Sequence, residues 1–307
     1  MKNRTNYFFR EILKTPPLKC NPRASTSYIC LVCHRDINIF LLAVKSFLRF
    51  YNNIRVIILD GGLINSDHIA IKKHINGALI YKRTFLDKLV NKKVKSKLLK
   101  YLRKKDISQL KLIDANLLVK GKKIIVDSDI LFLKKPTEVI NWIKNEKKKA
   151  FHHYRRPSEI LEEPNDWLQL AGGDTSKVYI KYYFLKNLKE INRKLNTSIK
   201  YFDYCSGLIG YNRDFSMMEI EKVEKVLLSV VPKIYKHLWG IEQATHEFLL
   251  NESSKKLNYK KYFAVCDFGP TKNEIKSARF IHFIGKLKHK EYLLLGKKII
   301  KELKNKK

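Results

Sequence analysis

Ile124-Ile125-Val126-Asp127-Ser128-Asp129-Ile130-Leu131-Phe132 is an apolar run interrupted by two aspartates one residue apart. Ile124, Ile125 and Val126 are β-branched residues suited to a strand buried on both faces, as in a parallel sheet covered by helices. Asp127 and Asp129 then stand where that strand ends, which is the edge of an α/β sheet at which ligands bind. Carboxylate oxygens are hard ligands for Mg2+ or Mn2+, and such an ion neutralises phosphate oxygens. Asp-X-Asp is also ordinary turn sequence. Apolar runs on both sides weigh against that reading, because a carboxylate drawn into apolar surroundings needs a partner.

Working outward, the chain upstream reads as a strand, a helix and a second strand. Tyr28 to Cys33 is a strand, and Asp36 is placed to cap the helix that follows. That helix carries Ile39, Phe40, Ala43, Val44, Phe47, Leu48 and Tyr51 at helical spacing. Ile54 to Leu59 is the second strand, ending in Asp60-Gly61-Gly62, a turn beside a ligand or a plain turn. This is the βαβ unit of a parallel sheet. A helix near Ser66–Ile75 and a short strand around Ala78–Tyr81 follow. A basic amphipathic helix then sets Val90, Val94, Leu98, Tyr101 and Leu102 against a lysine face, and Ile107–Leu118 leads through Lys120-Gly121-Lys122 into the aspartate strand. The basic helix suits packing on the domain, with attraction to anionic lipid as the other use of such a face.

Downstream, Val139, Ile140 and Ile143 mark a helix, and Ala150–Tyr154 marks a strand. Arg155–Ser176 is irregular, with Pro157, Pro164 and Gly172-Gly173. Stretches of that length are usually lids or binding elements, and its Trp167 either covers a sugar face or packs. Lys177–Lys194 is helical, and small Ser206-Gly207 precede an apolar strand. Helices follow over Ser216–Val230 and from Trp239-Gly240 through Leu250, with late strands at Tyr262–Val265 and Arg279–Ile284. The expected organisation is an N-terminal arm (1–26), broken by prolines, one α/β domain (27–290) and a basic helical tail (291–307).

Sixty-three Lys+Arg against 29 Asp+Glu give the 307 residues a formal charge of +34. Such a field attracts phosphates, nucleic acid or anionic lipid. Lysine predominates over the arginine favoured in bidentate base readout. Cys20, Cys30, Cys33, Cys205 and Cys266 are odd in number and scattered, which points to a reducing compartment rather than a disulfide framework. Cys30-Leu31-Val32-Cys33 has C-x-x-C spacing, but it lies in a strand with no second pair to complete a zinc site. No stretch has the length and apolarity of a membrane span, and Met1–Cys20 lacks a secretory apolar region. The expectation is a cytoplasmic protein, at most peripheral on the membrane surface.

Four motifs lie in order: Asp127-Ser128-Asp129, Cys205-Ser206-Gly207, Glu242-Gln243, and His282-Phe283-Ile284-Gly285-Lys286-Leu287-Lys288. In this order the chain resembles the GT-A-fold glycosyltransferases, and within them the family 8 (glycogenin and galactosyltransferase-like) group. The resemblance runs from about Ser27 to Lys290 and implies a Rossmann-like, mixed but mostly parallel sheet flanked by helices in a single domain. It implies that Asp127, Asp129 and His282 hold Mn2+ or Mg2+, and that Ser128, Gly285, Lys286 and Lys288 lie against the diphosphate of a nucleotide sugar. Glu242-Gln243 stands at the family's Asp-Gln pair near the anomeric carbon, with Glu in place of Asp. Cys205 replaces the family's asparagine, which contacts a sugar hydroxyl. The Pro-Trp that follows the lysine in the family is His289-Lys290 here. Lys111 falls near a basic donor-contacting residue, and Asp60 and His34 fall where related folds touch base and ribose.

What the resemblance implies is metal-dependent transfer of a sugar from a nucleotide sugar, UDP-linked, with retention at the anomeric carbon. The acceptor would be a hydroxyl on a glycan, a lipid-linked intermediate or a protein, and lysines beside an anionic membrane would favour a lipid-linked one. Two other classes compete. A basic nucleic-acid-binding protein accounts for the charge and leaves the aspartate pair unexplained. A metal-dependent nucleotidyltransferase accounts for the pair, but not for the late H-x-x-G-x-x-K or the lack of a basic glycine-rich phosphate loop. No specific nucleic acid is expected.

Overall fold

The computed structural model describes residues 9–145, 149–156, 163–174, 179–200, 202, 204–232, 238–250, 253–285 and 289–305. Its strands are β1 (Leu18–Lys19), β2 (Ser27–Val32), β3 (Arg55–Asp60), β4 (Ile75–Asn76), β5 (Leu79–Tyr81), β6 (Lys123–Val126), β7 (Ile130–Phe132), β8 (Ala150–Arg155), β9 (Tyr204–Tyr211), β10 (Ser254–Lys256), β11 (Tyr262–Val265) and β12 (Phe280–Phe283). One ten-stranded sheet runs β5-β3-β2-β6-β9-β8-β11-β12-β7, with β10 also paired to β8; β1 and β4 form a separate pair. Pairing is parallel except where β9 meets β6 and β8, and where β7 meets β12. This is the mixed, mostly parallel α/β sheet that the family resemblance implies.

The central strands are buried on both faces because both faces are apolar. Tyr28, Cys30, Val56, Ile58, Ile124 and Val126 face one core, and Ile29, Ile57, Leu59 and Ile125 face the other. The first core is covered by the helix Ile37–Leu48, every residue of which is buried. Arm and tail join that core too. Phe9 packs edge-on against Tyr292, and Tyr292, Ile299, Ile300 and Leu303 of the terminal helix Lys290–Lys304 are buried. The buried Lys45 ammonium ties the arm down by donating to Thr15 Oγ1 (2.6 Å) and the Pro16 carbonyl (2.8 Å).

The run that opens this reading is two strands, not one. β6 lies mid-sheet and β7 at its end, five pairings away. Five strand spacings in a flat sheet span about 24 Å. The four residue steps from Val126 to Ile130 reach at most about 14 Å. The sheet therefore curls until its last strand returns to its centre, and Asp127-Ser128-Asp129 is the bridge. The Asp127 N–H donates to the Gly207 carbonyl on β9 (3.1 Å), and the Phe283 N–H on β12 donates to the Asp129 carbonyl (2.9 Å).

Other expectations are corrected in detail. The basic helix is two, Arg83–Lys93 and Lys97–Lys105, because the chain is extended at Val94 and the Ser96 hydroxyl caps the second helix at the Leu99 N–H (3.1 Å). Arg155–Ser176 contains the helix Pro164–Leu170, and Trp167 on it is buried beside Tyr179, so it packs; the rest of that stretch lies largely outside the described residues. Among the described residues no helix is long and apolar enough to cross a membrane.

Candidate active site

The carboxyl ends of β3, β2 and β6 lie side by side, and Asp60, His34 and Asp127 follow at that edge. Asp60 Oδ1 accepts the N–H groups of Gly62 (2.8 Å) and Leu63 (2.7 Å), and its Oδ2 meets His68 (3.4 Å). Its carboxylate therefore shapes the turn. The His34 ring, half exposed, meets Asp67 Oδ2 at 2.8 Å.

At the end of β6 the curled sheet assembles three potential metal ligands. His282 Nε2 on β12 stands 3.0 Å from Asp129 Oδ1 and 3.7 Å from Asp127 Oδ2. All three ligand atoms lie within 4.8 Å of one another. The carboxylates remain 24% and 21% exposed, so an incoming ligand can reach them. Two hard oxygens and an imidazole nitrogen suit Mn2+ or Mg2+. The imidazole fits only because residue 207 is glycine: a Cβ there would lie 2.3 Å from His282 Nδ1. Burial pushes the Asp127 carboxyl up from its usual range against the pull of Lys111 and His282, a cost that a bound cation relieves.

Behind the pair runs a buried chain of charge. Lys111 sits in a π-helical turn, Leu110–Asp114, a distortion frequent at functional sites. Its Nζ donates to Asp127 Oδ1 (2.7 Å) and Ser206 Oγ (3.3 Å) and pairs with Glu242 Oε1 (3.3 Å). Glu242 Oε1 also meets His246 Nε2 (2.7 Å), and His246 meets the Tyr211 hydroxyl. Burial opposes all these charges, yet Asp127 and Glu242 hold the Lys111 ammonium above its usual value, and Lys111 and His246 hold Glu242 below its own.

Three of the expected site residues have protein partners. The Lys111 ammonium is engaged by Asp127, Ser206 and Glu242. Glu242 is 3% exposed and paired with Lys111 and His246. Cys205, 2% exposed, places Sγ 3.0 Å from His282 Nδ1. The Gln243 amide donates to the Tyr204 carbonyl. Ser128 sits half-buried between the aspartates. Gly285 adopts φ +69°, the left-handed region that favours glycine, just past β12. Lys286 and Lys288 lie outside the described residues.

The sequence reading missed His246, Tyr211 and His153. Glu242 and His246 are four residues apart on one helix, a spacing that pairs side chains and was legible. His153 faces Cys205 across a β8–β9 pairing whose register slips between His152 and His153, and nothing local signals that. A cleft of about 1050 Å3 opens elsewhere, beside Trp142, Phe151, Tyr154 and Lys256, and none of the metal-ligand candidates lines it.

No protein-family model matches the sequence, and no curated protein does. Solved structures do match. The galactosyltransferase LgtC, in complex with donor and acceptor sugar analogues, aligns with a TM-score of 0.51 at 12% identity, over 90% of this chain and 94% of that one. Mouse xyloside xylosyltransferase 1 gives 0.51 at 11%, over 87% and 98%. The bifunctional glycosyltransferase WbbM gives 0.50 at 11%, over 86% of this chain and 47% of that one, so the chain spans about half of that protein's length. At such identities the likeness is one of fold. The fold is that of the GT-A glycosyltransferases.

Proposed function

We propose that this GT-A fold carries a nucleotide-sugar-dependent glycosyltransferase, and that Asp127, Asp129 and His282 hold its divalent metal, Mn2+ or Mg2+. The observation that carries the reading is the meeting of these side chains at the ligand-binding edge of the sheet, although His282 lies far along the chain. Such an ion supplies Lewis acidity toward the departing diphosphate. The chain's own residues do the rest. Lys111 fixes the Asp127 carboxylate, Gly207 makes room for the His282 ring, and Gly285 lets the backbone come close to the diphosphate at the start of the H-x-x-G-x-x-K signature. Lys286 and Lys288, by the family resemblance, bring positive charge to the leaving group.

The donor in this reading is UDP-linked and transfer proceeds with retention, as in the family 8 group. Retention is supported by the site's described carboxylates. Asp127 and Asp129 are committed to the metal, and Glu242 is locked to Lys111 and His246. None of the three is left to act as the base that inverting displacement requires. The acceptor is a hydroxyl on a glycan, a lipid-linked intermediate or a protein. The +34 charge suits cytoplasmic work at an anionic membrane surface, with a lipid-linked acceptor as the natural case.

The test is incubation with a panel of UDP-sugars, with and without Mn2+, reading sugar release. Metal-dependent release that disappears in Asp129→Ala supports the proposal. No binding or turnover of any donor, alongside tight and salt-sensitive binding of nucleic acid, would return the basic-protein reading to first place.

A further inference from the structure

His282 presents two nitrogens, and the site just described uses one. Nε2 faces the aspartates, whereas Nδ1 lies 3.0 Å from Cys205 Sγ. His153, on the neighbouring strand β8, completes a second cluster. One atom each from His153, Cys205 and His282 lies within 4.8 Å of the other two, and all three residues are buried. The two clusters differ in chemistry. The aspartate side offers hard oxygens, whereas this side offers a sulfur and imidazole nitrogens, the donor set of Zn2+ and other soft or borderline ions.

We propose that His153, Cys205 and His282 form a separate site for a thiophilic divalent cation of the Zn2+ class, sharing the His282 ring with the aspartate site. Two observations support it. First, His153 has a nitrogen to give. Its Nδ1 sits 3.2 Å from the Leu208 carbonyl, which takes the ring proton on that side. Nε2 then keeps the lone pair, and it is buried with no hydrogen-bond partner. Second, the spacing is close to what a metal needs. A tetrahedral Zn2+ holds its sulfur and nitrogen ligands about 3.5 Å apart, so the Cys205–His282 contact opens by about half an ångström.

Cys30, although buried on β2, belongs to no such cluster among the described residues. The site also follows from the one-residue departure from the family motif. Asparagine at 205 would offer an amide, which is no zinc ligand of consequence, whereas cysteine converts the inner side of His282 into a soft pocket.

Co2+ is the probe, because a thiolate–Co2+ bond gives a charge-transfer band in the near ultraviolet that oxygen and nitrogen ligands do not. Chelator-stripped protein is titrated with Co2+ and then with Zn2+. The expected result is a thiolate band at one equivalent that Zn2+ bleaches. The band is lost in Cys205→Ala and kept in Asp129→Ala and Cys33→Ala, with circular dichroism confirming that each variant is folded. Weakening of the band in His153→Phe, which fills the same space without a ligand atom, places the third ligand. A wild type that shows no thiolate band at saturating Co2+, or a band that survives Cys205→Ala, overturns the proposal. The readout needs no sugar donor, so its outcome stands apart from that of the glycosyl-transfer test.

Discussion

Glu224 ought to make this protein less stable as pH rises through neutrality. It sits on the inner face of the helix Met217–Ser229 and is fully buried. Neither carboxyl oxygen completes a hydrogen bond. Burial pushes its pKa up to about 8 from 4.5, Asp106 and Glu242 push the same way, and the Gln109 amide offsets this only in part. The folded protein therefore keeps the proton between about pH 4.5 and 8, while the unfolded chain releases it. A state that binds fewer protons gains as pH rises, and here that state is the unfolded one. At about 1.4 kcal/mol per unit, the loss across this window is on the order of 4 kcal/mol. Glu224→Gln keeps the shape and removes the titration. Urea unfolding of both proteins at pH 4.5, 6.5 and 8 is the assay. The variant should match the wild type at pH 4.5 and exceed it at pH 8 by several kcal/mol, and other titrating groups cancel in the difference. A difference that stays flat with pH, or shrinks toward pH 8, would refute the reasoning.

Gly207→Ala should force the His282 ring aside, because 2.3 Å must become an ordinary contact of 3.4 Å or more. A shift of about 1 Å in a ligand costs on the order of 100-fold in activity, and overpacking costs about 1–3 kcal/mol. Calorimetric Mn2+ affinity and turnover, beside a denaturation curve, check both; unchanged metal affinity in the folded variant would mean that His282 is not a ligand. Lys111→Met leaves the buried Glu242 and the part-buried Asp127 without their shared cation, so unfolding free energy should drop by about 3–5 kcal/mol. A drop below 1 kcal/mol in urea titration would show that the ammonium does not hold them.

Much of the fold was legible because its strands are locally unambiguous. Tyr28–Cys33, Ile54–Leu59 and Tyr262–Val265 differ from β2, β3 and β11 by no more than a residue at either end. Each is a short run of β-branched or aromatic residues bounded by turn signals. The break at Val94–Ser96 was hidden because the apolar spacing continues in phase across it, and only the Ser96 cap reveals the stop. The split of Ile124–Phe132 was hidden for a different reason. Local sequence fixes the conformation of β6 and β7, but their separation depends on the strands that intervene in the sheet, which come from later in the chain. Within the site, the residue types were readable and their directions were not. Lys111, Glu242 and Cys205 are at the site, yet each turns inward to another protein group. The choice between facing a ligand and supporting a neighbour depends on burial, which no motif encodes.

The charge of the whole chain and the charge of the site have opposite signs, and this opposition explains why composition alone misleads. A field of +34 gathers anions from any direction. At the carboxyl end of β6, however, the carboxylates of Asp127, Asp129 and Glu242 gather, among the described residues, around the single ammonium of Lys111. Lys111 is already shared by two carboxylates. A bare site of this composition repels phosphate at contact range, where screening by solvent is weakest. On the proposed reading the surface therefore concentrates the donor, while the site accepts it only once a divalent cation has reversed the local sign. Donor affinity measured without divalent cation should then be low at every ionic strength, and with cation it should rise as salt falls. Equal donor affinity with and without the cation would mean that the aspartates hold no metal and that the basic surface alone captures the phosphates.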